Sequence, residues 1–168
     1  VSEYSYFQLY IFYTSYVVFF HLGLPNGIYL RYGGKEFPEL NQGQYRMQFW
    51  ILVFFTFFIS MSGSIYFILQ FGITNKSYIF IMTCICGLLV LPRDYILLTF
   101  QATNRLKDYG KATIIDRMIF LSLVSFFLIL GKRDYTLLIH ADLSGKGITL
   151  FWLLLKCRKT LFQRLSEL

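Results

Sequence analysis

The sequence predicts an all-α, polytopic transmembrane bundle of about five spans, and three observations support this fold class. First, the 168 residues are 56% apolar and only 15% charged, whereas soluble domains average about 45–50% apolar and about 25% charged. Second, the apolar residues form long runs, close to the ~20 residues that a helix needs to cross a ~30 Å hydrocarbon layer. Third, most basic residues lie between these runs. Too few polar side chains remain to cover a water-soluble domain.

The first predicted span covers about 4–24 and carries tyrosine and phenylalanine on all sides. Its first tyrosines suit the interface between lipid and water. The segment 25–27 (Pro-Asn-Gly) predicts a helix break, and the glycine pair at 33–34 predicts a second one. The chain has no basic region before this first apolar run, so the run is not a signal peptide. We expect an internal start, with a helix preceding it.

The second and third predicted spans, about 47–71 and 78–103, are joined by a short connection and should form a helical hairpin. Ser60 and Ser64 in the second span have the spacing of small residues that lets helices approach closely in lipid. A close contact between this span and a neighbouring helix is therefore expected.

The third span places Pro92, Arg93 and Asp94 about two-thirds of the way along an apolar stretch. Pro92 should kink the helix, because it removes a backbone hydrogen bond. Neighbouring residues on a helix diverge by about 100°, so Arg93 and Asp94 should not face each other and each should need another partner. Ionisable groups inside a membrane usually mark a polar pathway. An internal salt-bridge network that locks one conformation is the alternative.

The fourth and fifth predicted spans cover about 114–130 and 135–155. In the fifth, Asp142 and Lys146 are four residues apart with the acid first, which is the favourable order for an ion pair. This pair would line a polar path that meets an anionic or hydroxyl-rich head group. Alternatively, it would be a neutralised pair that only makes insertion into the membrane less costly.

The basic residues after the five spans number three, one, four, two and four, in that order. They are Arg31, Lys35 and Arg46; Lys76; Arg105, Lys107, Lys111 and Arg117; Lys132 and Arg133; and Lys156, Arg158, Lys159 and Arg164. By the positive-inside rule, the start of the chain is expected outside and its end in the cytoplasm. The net charge of +7 does not indicate nucleic-acid binding, because the aromatic residues lie in apolar runs rather than among basic ones.

The sequence predicts no enzyme activity, no cofactor and no metal. Cys84 and Cys86 are two positions apart on a helix and point to nearly opposite sides, so they cannot share a metal. Cys157 lies in a distant basic segment. All three fit free thiols used as small apolar residues.

Three segments resemble the polysaccharide biosynthesis and O-antigen flippase proteins of the multidrug/oligosaccharidyl-lipid/polysaccharide exporter superfamily. They are SYFQLYIFYTSYVVFFHLGLPNGIYLRYGGKEFPELN, LPRDYILLTFQATNRLKDYGKATIIDR and GKRDYTLLIHADLSGKGITL. The most telling parts are 22–34 and 101–111. The resemblance covers nearly the whole chain.

The resemblance implies two similar helical lobes around a cavity that opens alternately to either face of the membrane. Such proteins move undecaprenyl-pyrophosphate-linked oligosaccharides across the bacterial inner membrane. The chain would supply the family's second to sixth helices, a partial N-terminal lobe truncated at both ends. The expected partners are a lipid-linked oligosaccharide, membrane lipids and other polysaccharide-assembly proteins.

On this resemblance, the side chains expected to line the translocation path are Arg93, Asp94, Asp142 and Lys146. Within that set, the planar fork of Arg93 suits a pyrophosphate. Arg31 should contact the head group near the cytoplasmic face. The coupling ion, proton or sodium, is left open, with Asp94 as a candidate. Asn26 stands where an acid is more often expected, so no coupling role is assigned to it.

Three other functions remain open. The related efflux branch exchanges drugs for cations. An inactive, truncated or accessory membrane subunit is another alternative. A membrane-embedded polymerase or acyltransferase would need a large loop outside the membrane, and both predicted outside loops are too short to hold one.

Overall fold

The computed structural model describes residues 2–132 and 134–162. This part of the chain consists of helices joined by short connections, without strands. The basic residues Arg133 and Arg164 lie outside the described residues. The long helices are α1 (Ser2–Val17), α2 (Leu24–Tyr32), α3 (Gln42–Phe71), α4 (Asn75–Ala102), α5 (Leu106–Ile129) and α6 (Tyr135–Lys156). A short α7 (Arg158–Phe162) follows, and two 3-10 turns cover Val18–His21 and Phe37–Glu39.

Four of these helices, α3 to α6, are long and apolar enough to cross a membrane. The segments Glu3–His21 and Leu24–Tyr32 together meet the same criterion, but they are bent by 56° relative to each other. The described chain therefore has four helices of this kind, or five if the bent pair is one span. The predicted all-α, membrane-type bundle is confirmed.

The helix break after α1 lies at Leu22 and Gly23, so the prediction of a break at 25–27 is wrong. Leu22 and Gly23 both have left-handed backbone conformations, with φ of 55° and 69°. Pro25 instead occupies the first turn of α2, where its fixed φ suits a helix and its missing N–H costs nothing. The second predicted break is confirmed, because α2 ends at Tyr32 and Gly34 has a φ of 83°.

Helices α3 and α4 form the predicted hairpin, connected by residues 72–74. The Ser60 hydroxyl donates a hydrogen bond to the backbone carbonyl of Cys84, 3.3 Å away. Gly63 lies so close to α4 that a Cβ atom there would be 3.3 Å from the ring of Phe80. The small residues of α3 therefore mark its contact with α4. Helices α5 and α6 form the second hairpin, connected by residues 130–134.

One end of the bundle collects most of the basic residues, and we call it the basic end. There the Gly34 N–H donates to the Ala102 carbonyl, 3.1 Å away, which ties the end of α2 to the end of α4. The Arg105 guanidinium lies over the Phe100 ring at 4.6 Å. Lys156 at the end of α6 forms an ion pair with Asp108 at the start of α5. The helices thus alternate in direction, and the side of the membrane that the basic end faces remains a prediction.

Helix α4 lies at the centre of the bundle and contributes the most buried residues. Near the basic end, the Tyr95 hydroxyl donates to the Tyr45 carbonyl of α3, 2.8 Å away, and the two rings stack. Helix α4 runs as one element through Pro92, so the expected kink remains a prediction.

Replacing Gly145 with alanine should destabilise the fold. A Cβ atom at this position on α6 would lie 2.9 Å from Oδ1 of Asp116 and 3.0 Å from its carbonyl oxygen on α5. Forcing these helices apart should cost about 1–3 kcal/mol. The matched control is Gly147→Ala on the same helix, where the nearest neighbour is a methyl of Leu89 at 3.9 Å. Thermal unfolding in detergent should show a lower Tm for Gly145→Ala alone, and equal Tm values for the two variants would contradict the packing.

Candidate functional site: an ion-paired cavity between α4, α5 and α6

Arg93 and Asp94 form a direct ion pair within α4, so the expectation that they do not face each other is wrong. Arg93 is eighteen residues after Asn75, the first of the 28 residues of α4. Its Nε and Nη2 atoms donate to Oδ1 of Asp94, at 3.1 and 3.0 Å. The two Cα–Cβ bonds diverge, but the long arginine side chain curls back far enough to close the contact.

The second partner of Arg93 is Asp116 on α5, which sequence analysis did not select. Nη1 of Arg93 donates to Oδ2 of Asp116, 2.9 Å away. Asp116 is 8% exposed and packs against the bare backbone of Gly145. A signal for it was available, because an acid two residues into the predicted fourth span is costly in lipid and needs a partner. The expectation of a further partner is therefore confirmed for Arg93. It is wrong for Asp94, whose described hydrogen bonds and ion pair are all with Arg93.

A cavity of about 270 Å³ lies beside this network. The polar residues that line it come from three helices and include Arg93 and Asp94 from α4, Thr113, Asp116 and Arg117 from α5, and Thr149 from α6. The network therefore does not only join two helices. It also forms one wall of a polar space between helices that are apolar enough to span a membrane.

A second polar cluster joins α1, α4 and α6. The predicted ion pair between Asp142 and Lys146 is confirmed. The Tyr10 hydroxyl on α1 donates to Oδ2 of Asp142, 2.7 Å away, and Tyr10 is only 1% exposed. Nζ of Lys146 also lies 3.4 Å from Sγ of Cys86 on α4. Sequence analysis missed Tyr10, because nothing in its local pattern separates it from the other tyrosines of α1.

The five predicted site residues fall in three places. Arg93 and Asp94 line the cavity, whereas Asp142 and Lys146 lie in the second polar cluster and not in the cavity lining. Thr149, which lines the cavity, is three residues after Lys146 on α6. Arg31 lies apart from both clusters. It is exposed near the end of α2, and its Nη1 atom donates to Oε1 of Gln44, 2.9 Å away.

The three cysteines are free thiols, and Cys86 and Cys157 are buried. Burial raises the pKa of the Cys157 thiol, which follows α6, to about 11, although the charges of Arg105 and Lys156 oppose this effect. The thiol therefore stays protonated at neutral pH, where the thiolate would be the reactive form. Among the described residues, no three histidine, cysteine or acidic side chains are grouped closely enough to hold a metal ion.

The arrangement offers charged donors and acceptors in a partly open space rather than a fully enclosed core. Burying an ion pair costs solvation energy, and apolar replacements are often neutral or stabilising. The ion pairs of Arg93 with Asp94 and Asp116 therefore give little support to a purely stabilising role. The guanidinium groups of this arrangement can bind an oxyanion, and its carboxylates can take up a proton.

The chain was compared with models of known protein families, with curated proteins and with solved structures, and none of them matches.

Replacing Tyr10 with phenylalanine should destabilise the protein by removing the donor to Asp142. Hydrogen bonds to charged groups contribute about 1.5–3 kcal/mol. The control is Tyr13→Phe on the same helix, a half-buried tyrosine whose ring packs against Phe80 and whose hydroxyl has no hydrogen-bond partner among the described residues. Thermal unfolding in detergent should give a lower Tm for Tyr10→Phe than for Tyr13→Phe. An unchanged Tm in both variants would mean that the Tyr10–Asp142 contact does not hold α1 against α6.

Proposed function

We propose that the chain is part of the N-terminal lobe of a flippase in the bacterial inner membrane. The protein would move undecaprenyl-pyrophosphate-linked oligosaccharide, the O-antigen or capsular repeat unit, by alternating access and without covalent chemistry. The observation that carries the proposal is the ion-paired cavity between helices that are apolar enough to span a membrane. The substrate class comes from the sequence resemblance.

The cost of charge in lipid supports a transport pathway over a simple anchor. The side chains of Arg93, Asp94 and Asp116 are 15%, 33% and 12% exposed. Each would be expensive against hydrocarbon, so such groups normally face a bundle interior or a water-filled cavity. An anchor gains nothing from three such residues, whereas a path for a charged head group requires them.

The size of the cavity supports binding of a head group rather than of a whole substrate. Pockets that enclose drug-sized ligands measure about 300–1,000 Å³, and this cavity measures about 270 Å³. A pyrophosphate with part of its first sugar is a suitable occupant. The remaining sugars and the lipid would lie outside the cavity, against the other lobe and the bilayer.

The two polar clusters give alternating access a physical basis. Arg93 links α4 to α5, and the Tyr10–Asp142 contact links α1 to α6. A proton taken up by Asp116 or Asp142 would loosen one link at a time. The basic end would face the cytoplasm, where Arg31 could meet the head group before it enters.

A second candidate is drug or cation antiport, and the Asp142 cluster favours it. A carboxylate beside a lysine in a membrane helix can exchange a proton or a cation. The two functions differ in their cellular outcome. Disruption of an antiporter changes drug sensitivity, whereas disruption of the proposed flippase changes surface polysaccharide.

Charge removal in each of the two polar clusters should lower surface glycan without lowering the amount of protein in the membrane. We expect Arg93→Gln and Asp142→Asn in the intact protein to reduce glycan export about tenfold or more, because each removes charged contacts worth about 1.5–3 kcal/mol. The control is Lys76→Gln, which removes an exposed charge from the start of α4, outside the cavity lining. Glycan blots and membrane immunoblots would be read together, and normal glycan in both the Arg93 and the Asp142 variant at normal abundance would contradict the assignment.

A further inference from the structure

Arg117 on α5 is the second guanidinium of the cavity, and its situation differs from that of Arg93. It lies eleven residues after Leu106, near the middle of the 24-residue helix. It is exposed and lines the cavity together with Arg93, Asp94 and Asp116. Among the described residues, Arg117 has no ion-pair partner, whereas Arg93 has two.

Both carboxylates that line the cavity form ion pairs with Arg93. Oδ1 of Asp94 accepts from two of its nitrogens, and Oδ2 of Asp116 accepts from the third. The cavity-lining hydroxyls of Thr113 and Thr149 donate to backbone carbonyls of their own helices, at 3.0 and 2.8 Å. Arg117 is therefore the cation of the described lining that makes no ion pair.

An unpaired guanidinium inside an apolar helix is costly unless it meets water or an anion. Its planar fork of five N–H donors matches the oxygens of a phosphoryl group and binds them in pairs. Arg93 has the same chemistry, but binding an anion there would require it to give up Asp94 or Asp116. Arg117 can accept an anion without breaking any described contact.

We infer that Arg117 binds the diphosphate of a lipid-linked substrate, while Arg93 is a positioning residue that holds the cavity wall between α4 and α5. This differs from the sequence-based expectation, which assigned the pyrophosphate to Arg93. The identity of the ligand as a lipid diphosphate depends on the proposed function. The prediction that Arg117 is the residue that binds an oxyanion depends on the geometry of the cavity alone.

Binding of farnesyl diphosphate to the intact protein in lipid nanodiscs tests the inference. We expect Arg117→Gln to raise its Kd about tenfold or more, because charge-assisted bidentate contacts are lost. Arg117→Lys should retain part of the affinity, since it keeps the charge but not the fork. The control is Lys111→Gln, an exposed cation of the same helix outside the cavity lining, and its Kd should equal that of the wild type. All variants should keep the wild-type Tm, because Arg117 is exposed.

Several results would overturn the inference. These are a wild-type protein that does not bind farnesyl diphosphate, an Arg117→Gln variant that binds it as tightly as the wild type, or an equal loss in Lys111→Gln. Inorganic pyrophosphate is the second probe, and equal affinity for it would identify a free anion rather than a lipid as the ligand. Normal surface glycan in the Arg93 and Asp142 variants, together with Arg117-dependent binding of farnesyl diphosphate, would contradict the flippase but would leave the diphosphate site supported.

Discussion

The centre of the bundle depends on one constraint: charged side chains between membrane helices must be paired or hydrated. Arg93 satisfies it by binding Asp94 on its own helix and Asp116 on α5. The contact with Asp116 requires α5 to lie close to α4. Separately, Gly145 lets α6 approach α5 closely at Asp116 because it has no side chain. The ion pair and the glycine therefore bring the three helices together at Asp116.

The sequence predicted those features that depend on composition or on near neighbours. Long apolar runs predicted the membrane-type helices, short connections predicted the hairpins, and a spacing of four residues predicted the Asp142–Lys146 ion pair. The helix break was predicted at 25–27 because of Pro25, but proline also occurs often in the first turn of a helix, where Pro25 lies. Leu22, which adopts the left-handed conformation, is not a residue type that signals it.

The contacts that sequence analysis missed join residues far apart in the chain. Arg93 and Asp116 are separated by 23 positions, and Tyr10 and Asp142 by 132. No local periodicity identifies such partners, since they depend on how the helices pack. Arg93 and Asp94 were predicted together and both line the cavity, but their partner Asp116 came from the tertiary structure. Arg117 was also missed, because it was counted among the loop charges although it lies within α5.

The proposed transport path requires the space beside Arg93 to be a water-accessible cavity within the membrane. Cysteine accessibility tests this requirement most directly. In a background that lacks Cys84, Cys86 and Cys157, Thr113→Cys would place a thiol on the cavity wall, and Ile114→Cys would place one beside it, exposed but outside the lining. The protein would be treated with a membrane-impermeant maleimide in vesicles opened to both sides. We expect rapid labelling at 113, on the cavity wall, and slow labelling at 114. Equal labelling at both positions, or none at 113, would contradict this requirement.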